Sequence, residues 1–159
     1  MLRVIFDTNI YGLILDSGQE KVIEEKLPNN MIIYGFSLIR KELRNVPTTT
    51  TKARKARLLL LSLHDRVTKE HIFTENKRII DLAKEYYNEY RNQGGIVPWK
   101  NIRTDFMIVA CATLHGLDVI VSNDKKTMVS SKALISYNLI NERTPTFFTF
   151  EDLVNKFTI

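Results

Sequence analysis

The sequence predicts an α/β fold built around a mainly parallel sheet. Two observations carry that prediction. Short runs of β-branched residues alternate with longer stretches of helical periodicity, the pattern of βαβ units. The runs Val4-Ile5-Phe6, Met31-Ile32-Ile33 and Val119-Ile120-Val121 are apolar on both faces. Strands covered by helices on both sides need that, whereas half-exposed strands alternate. The chain has 159 residues, which suits one domain with a single core. No repeat, low-complexity tract or linker interrupts it, so residues 1–159 are read as one domain.

Taken in order, Arg3–Phe6 is the first strand and ends on Asp7. Short helices are expected over Ile10–Leu15 and Glu20–Lys26, then a strand over Met31–Phe36. Ser37 is the expected N-cap of a helix reaching Val46, before Pro47. The threonine run Thr48–Thr51 leads into a helix near Lys52–Leu63, and a short strand is expected near Arg66–Thr68. The helix Glu75–Asn92 stops at Gly94-Gly95. Ile102–His115 stops at Gly116, glycine being the usual residue past a helix C-terminus. The strand Asp118–Ser122, the helix Lys132–Asn141, the strand Thr146–Phe150 and the helix Glu151–Phe157 complete the chain.

Composition narrows the function classes. Apolar residues make up 44% and charged residues 26%, as expected of a soluble globular protein. No apolar run approaches the roughly 18 residues that span a bilayer, so no membrane role is expected. The predicted first strand begins almost at Met1, which leaves no signal-peptide layout. Cys111 is the single cysteine, which excludes an internal disulfide and a cysteine-cluster metal site. A reducing cytoplasm fits. The formal net charge of +5 permits a polyanionic partner without requiring one.

The acids carry the functional signal. Asp7 ends the first strand, where burying a lone charge is costly. "VIVSND" repeats the pattern late in the chain and ends on Asp124. In a parallel sheet both strand ends lie on the carboxyl edge, where open α/β proteins place ligands. Returning helices start at that edge. Asp105 is expected in the first turn of its helix. Glu42 falls within the apolar arc of Leu38, Ile39, Leu43 and Val46 on a 100° wheel, so it is expected to point inward. Taken singly, each has a structural alternative. Asp105 would suit a helix dipole, Asp124 a turn, and Glu42 a buried Arg. Together, four converging carboxylates repel one another and raise one another's pKa values. A hard divalent cation, Mg²⁺ or Mn²⁺, relieves that repulsion.

"VIFDTNIY", the inward Glu42 and "RTDFMIVACATLHGLDVIVSND" resemble the PIN-domain family. The resemblance covers nearly the whole chain. It implies a three-layer α/β/α fold with a mainly parallel sheet, and metal-dependent nuclease activity. It makes Asp7, Glu42, Asp105 and Asp124 a catalytic, metal-binding quartet. Thr8, Asn9, Ser122 and Asn123 become polar supports. Many members are toxins of prokaryotic toxin–antitoxin pairs that cut RNA as homodimers; others process ribosomal RNA or nick structured DNA. Two departures stand out. Members often carry an aromatic, and sometimes another acid, soon after the last Asp. Here Lys125-Lys126-Thr127-Met128 stand, so no fifth ligand is expected. The segment Thr48–Asn92 is also longer than a minimal toxin needs.

The implied reaction is metal-assisted phosphodiester hydrolysis, which requires no histidine base. His64, His71 and His115 show no ligand-pair spacing and are expected at the surface or helix ends. Cys111 reads as a core residue. Four consecutive leucines, Leu58–Leu61, circle a helix, so part of that run is expected to meet a partner. The preceding cations Lys52, Arg54, Lys55 and Arg57 form a solvated face or an RNA contact. Tyr86, Tyr87 and Tyr90 are expected to pack rather than stack on bases, and Trp99 lies shortly before Asp105. A non-catalytic RNA- or protein-binding module is the second function class, and the intact quartet speaks against it. A phosphoryl transferase with an aspartyl nucleophile is the third. "DTN" lacks the paired acid that such enzymes place two residues on, and no Walker-type loop is present.

Overall fold

The computed structural model describes residues 1–46 and 50–157. Its strands are β1 (Leu2–Phe6), β2 (Met31–Phe36), β3 (Ile72–Phe73), β4 (Val119–Val121) and β5 (Thr146–Phe148). Among the described residues they form one five-stranded sheet in the order β3-β2-β1-β4-β5. Every pairing is parallel. β1 lies in the middle, and its neighbours are β2 on one side and β4 on the other. That reversal of winding direction opens a crevice beyond the carboxyl ends of β1 and β4.

The helices are α1 (Thr8–Asp16), α2 (Glu20–Lys26), α3 (Ser37–Arg44), α4 (Thr51–Thr68), α5 (Lys77–Asn92), α6 (Trp99–Leu114), α7 (Ser131–Ile140) and α8 (Phe150–Phe157). α1 to α4 pack with one another, and α5 packs with α6 and α7. The result is a three-layer α/β/α arrangement. Val4, Ile5, Phe6, Ile120 and Val121 are buried in the sheet, together with Phe106, Ile108 and Val109 of α6. Among the described residues, no helix is long and apolar enough to cross a membrane.

Several boundaries differ from expectation for local reasons. Arg66–Thr68 is not a strand. Thr68 donates its Oγ1 hydrogen to the His64 carbonyl at 2.7 Å, and α4 continues to Thr68. Lys69 then turns with φ 52, and the edge strand forms at Ile72–Phe73 instead. Ser37 is not a cap but the first helical residue; Phe36 stands at the cap position in extended geometry, with no side-chain bond. Thr50 caps α4 by accepting from the Ala53 N–H at 3.0 Å. Pro47, Thr48 and Thr49 lie outside the described residues. Phe150 begins α8 rather than ending β5.

The histidine expectation fails at His64, which is fully buried. Its ring lies against β2, where a Cβ on Gly35 would come within 3.0 Å of Nε2. A side chain there would have to push the ring back by a few tenths of an ångström. His64 Nδ1 lies 2.9 Å from Asp65 Oδ1. His71 is exposed, and His115 caps α6 and stacks on Phe73 at 3.8 Å between centroids. Tyr86 and Tyr90 are core residues. Tyr87 and Trp99 pack together, 5.3 Å between centroids. Cys111 is buried.

Candidate functional site

The crevice is lined by Asp7, Thr8, Asn9, Glu42, Asn101, Thr104, Asp105, Asp124, Lys126 and Thr127, around a volume of about 440 Å³. Each acid arrives on a different element. Asp7 follows the last residue of β1, and its N–H donates to the Val121 carbonyl of β4 at 2.9 Å. Asp124 stands three residues past β4, α3 carries Glu42, and α6 carries Asp105. Carboxylate oxygens of Asp7, Asp105 and Asp124 lie within 4.8 Å of one another.

Asp7 is the deepest of the acids, with 5% exposure. It caps α1, accepting from the adjacent Thr8 N–H at 2.8 Å on Oδ1. Ser122 Oγ donates to Oδ2 at 2.9 Å. The Asp124 N–H in turn donates to Ser122 Oγ at 3.1 Å. Ser122 thus ties the end of β1 to the turn after β4. Burial raises the Asp7 pKa above its ordinary value; the bonds from Ser122 and Thr8 oppose that rise, and Asp124 adds repulsion.

Asp124 holds its own turn. Oδ1 accepts from the Lys126 and Thr127 N–H groups at 3.1 and 3.0 Å. Asn123 turns away from the crevice, and its Oδ1 accepts from the Phe150 N–H at 2.8 Å. It supports the start of α8 rather than the acids.

Asp105 is the seventh residue of α6, because the helix begins at Trp99 and not near Ile102. The helix dipole acts mainly within the first turn, so a dipole account of Asp105 loses its basis. Asn101 lies four residues earlier on the same face. Burial pushes Asp105 up to about 7, reinforced by repulsion from Asp7, Asp124 and Glu42 and opposed by a hydrogen bond from Thr127. Thr127 Oγ1 lies 2.5 Å from both Asp105 Oδ2 and Asp124 Oδ2. One hydroxyl has one proton, so Thr127 donates to one of these oxygens at a time.

Glu42 was expected to point inward. Leu38, Ile39 and Leu43 are buried beside it, but Glu42 itself is exposed on the crevice rim. Burial of its carboxyl end raises its pKa, and Asp7 raises it further; the neighbouring Thr8 and Thr104 hydroxyls oppose both. Thr8 Oγ1 itself is buried without a hydrogen-bond partner.

Sequence reasoning missed Thr127, Asn101, Thr104 and Lys126. Asn101 sits one helical turn before Asp105, which gave a usable signal. Thr127 had none, because only the turn after β4 brings it between two acids.

The donor set fits a hard divalent ion. It consists of oxygen atoms alone, at separations that one ion can bridge with bonds of roughly 2.0–2.6 Å. No histidine or cysteine lines the crevice. Among the described residues, none of the four acids forms an ion pair.

No family model matches the sequence, and no curated protein matches it. Solved structures do. A chain in the crystal structure of VapBC2 from Rickettsia felis, bound to a DNA fragment from their promoter, is 17% identical with a TM-score of 0.65, covering 93% of this chain and 98% of that one. A chain of DNA-bound VapBC from Salmonella typhimurium is 17% identical with a TM-score of 0.63, covering 94% and 99%. One from FitAcB of Neisseria gonorrhoeae is 14% identical with a TM-score of 0.56, covering 93% and 98%. The likeness is one of fold, and the chain has the PIN-like three-layer α/β/α fold.

Proposed function

On this PIN-like framework we propose a Mg²⁺- or Mn²⁺-dependent endoribonuclease, acting as the toxin of a toxin–antitoxin pair. The observation that carries the reading is the meeting of Asp7, Asp105 and Asp124 within 4.8 Å, with Glu42 on the rim. The VapBC and FitAcB likenesses support an antitoxin partner. A homodimer is part of the reading, motivated by Leu58 and Leu59, which are 64% and 54% exposed.

A divalent ion bound to the acids supplies a water activated for attack and positive charge for the phosphate. The protein supplies the rest. Asp7, Asp105 and Asp124 would hold the ion, with Ser122 and the Thr8 N–H fixing the Asp7 carboxylate. Thr127 spaces Asp105 from Asp124. Glu42 completes the negative lining, and Asn9, Asn101 and Thr104 offer polar contacts to the substrate. Attack by water needs no RNA 2′-hydroxyl, so the products carry a 5′-phosphate and a 3′-hydroxyl.

The test is cleavage of single-stranded RNA with Mn²⁺ or Mg²⁺ and with EDTA, with both product ends identified. A 2′,3′-cyclic phosphate as first product, or full activity in EDTA, overturns the mechanism.

A further inference from the structure

The net charge of the chain is not spread over its surface. Between Glu42 and Asp65 there are five cations, Arg44, Lys52, Arg54, Lys55 and Arg57, and no acid. The formal net charge of the whole chain is +5, so everything outside this segment sums to zero. Arg44, Lys52, Arg54 and Lys55 are exposed. Other exposed helices mix their signs: α5 interleaves Lys77, Arg78 and Lys84 with Asp81, Glu85 and Glu89. Elsewhere some cations pair with acids, as in Arg40–Asp65, Arg66–Glu24, Lys77–Asp81 and Arg103–Glu75. Among the described residues, Arg44, Lys52 and Lys55 form no ion pair.

The segment begins at the crevice. Arg44 follows Glu42 by two residues, about 3 Å of helix rise. The Arg57 Nη1–H donates to the Arg44 carbonyl at 3.1 Å, which fastens α4 to the end of α3. Lys52 lies five residues before Arg57, about 7.5 Å along α4. The basic row therefore starts on the helix that carries Glu42, on a different face of it, and continues along α4. Lys126 lines the same crevice.

We propose that the end of α3 and the first half of α4 form the track that seats the phosphate backbone of the RNA substrate. The proposal rests on the nuclease reading above and adds where the substrate binds. The physical need is plain. A site lined by four carboxylates repels a polyanion, so affinity must come from cations beside it, through release of condensed counterions. An acidic protein segment is the competing occupant.

The experiment compares wild type with the double variant Lys52→Gln/Lys55→Gln, and with Lys77→Gln/Lys84→Gln on α5. Gln keeps helix propensity, and thermal melting checks that each variant folds. Arg44→Gln is a second, independent variant of the track. Binding to fluorescent single-stranded RNA is measured in EDTA across a salt series, and cleavage is measured separately with Mn²⁺. The expected result is roughly tenfold weaker RNA binding by the α4 double variant. The slope of log affinity against log salt should also flatten by about 1.4, which is about 0.7 for each phosphate no longer neutralised. The α5 variant should bind as wild type. Unchanged affinity and slope in both track variants overturns the proposal, even if wild type cleaves RNA. Unchanged RNA binding with weakened affinity for a synthetic acidic peptide overturns it in favour of a protein partner. If wild type cleaves nothing while the slope still flattens, the nuclease reading falls and the track stands.

Discussion

Two carboxylate clusters in this chain use the same chemistry to opposite ends. In the first, Asp65 receives both arms of the Arg40 guanidinium, at 3.0 and 2.9 Å, and the His64 ring at 2.9 Å. Arg40 holds the Asp65 carboxyl below its ordinary pKa. In the second, Asp7, Asp105 and Asp124 converge within 4.8 Å with no cation paired to any of them among the described residues. Burial and mutual repulsion push Asp105 up to about 7. The structural cluster carries its own counter-charge. In the crevice Lys126 is present but pairs with none of these acids among the described residues, and that difference separates an acid kept for the fold from an acid kept for a ligand.

The two clusters also make stability depend on pH with opposite signs. Asp105 has a folded pKa near 7 against an ordinary 3.8. The native state therefore holds the extra proton between those values, and stability falls as pH rises through that window. His64 is the reverse. Burial lowers its pKa below the ordinary 6.5, so the unfolded state takes up the proton first and stability is lost as pH falls below 6.5.

The sharpest way to break the contrast is to neutralise one crevice acid. Asp105→Asn should lower RNA cleavage by about 10²–10³-fold, the scale of removing one group that stabilises transition-state charge. At pH 8 the metal-free variant should be more stable than wild type, by on the order of 1 kcal/mol. A variant that melts well below wild type would place Asp105 with Asp65, as a structural acid.

Metal binding tests the missing counter-charge directly. Mn²⁺ at a hundred times its Kd should stabilise wild type by about 2.7 kcal/mol, read from urea unfolding with and without the ion. Asp105→Asn should lose most of that gain.

The opposed pH slopes can be separated by variants. Asp105→Asn should remove the fall in stability between pH 4 and 7, an effect on the order of 1 kcal/mol or more. His64→Gln should remove the loss below pH 6.5. Urea midpoints across pH give both slopes, and slopes unchanged by either substitution contradict the assignments.

Thr127→Val keeps the shape of the site but removes the hydroxyl between Asp105 and Asp124. Mn²⁺ affinity, measured by calorimetry, should drop about tenfold, and Thr127→Ser should restore it. The smallest effect belongs to the compensated cluster. Arg40→Gln should cost no more than about 1 kcal/mol, because the pair is largely solvent-exposed, and should leave Mn²⁺ affinity unchanged.

Local patterning along the chain sets the alternation of strands and helices, the apolar strands of a covered parallel sheet, and the acids at the ends of β1 and β4. These are local signals, set by side-chain period and by polar residues that stop an apolar run. Glu42 was legible from its helical wheel, though its exposure on the rim was not. The convergence of the acids was legible too, but which strands are neighbours, and how closely each acid approaches the others, came from the packed fold. The β1–β4 pairing brings together residues more than a hundred positions apart, and nothing in the local pattern encodes that register. The same holds for Thr127 between two carboxylates and for His64 buried under Gly35. A polar side chain takes its role from the groups across from it, and those are supplied by other elements of the fold.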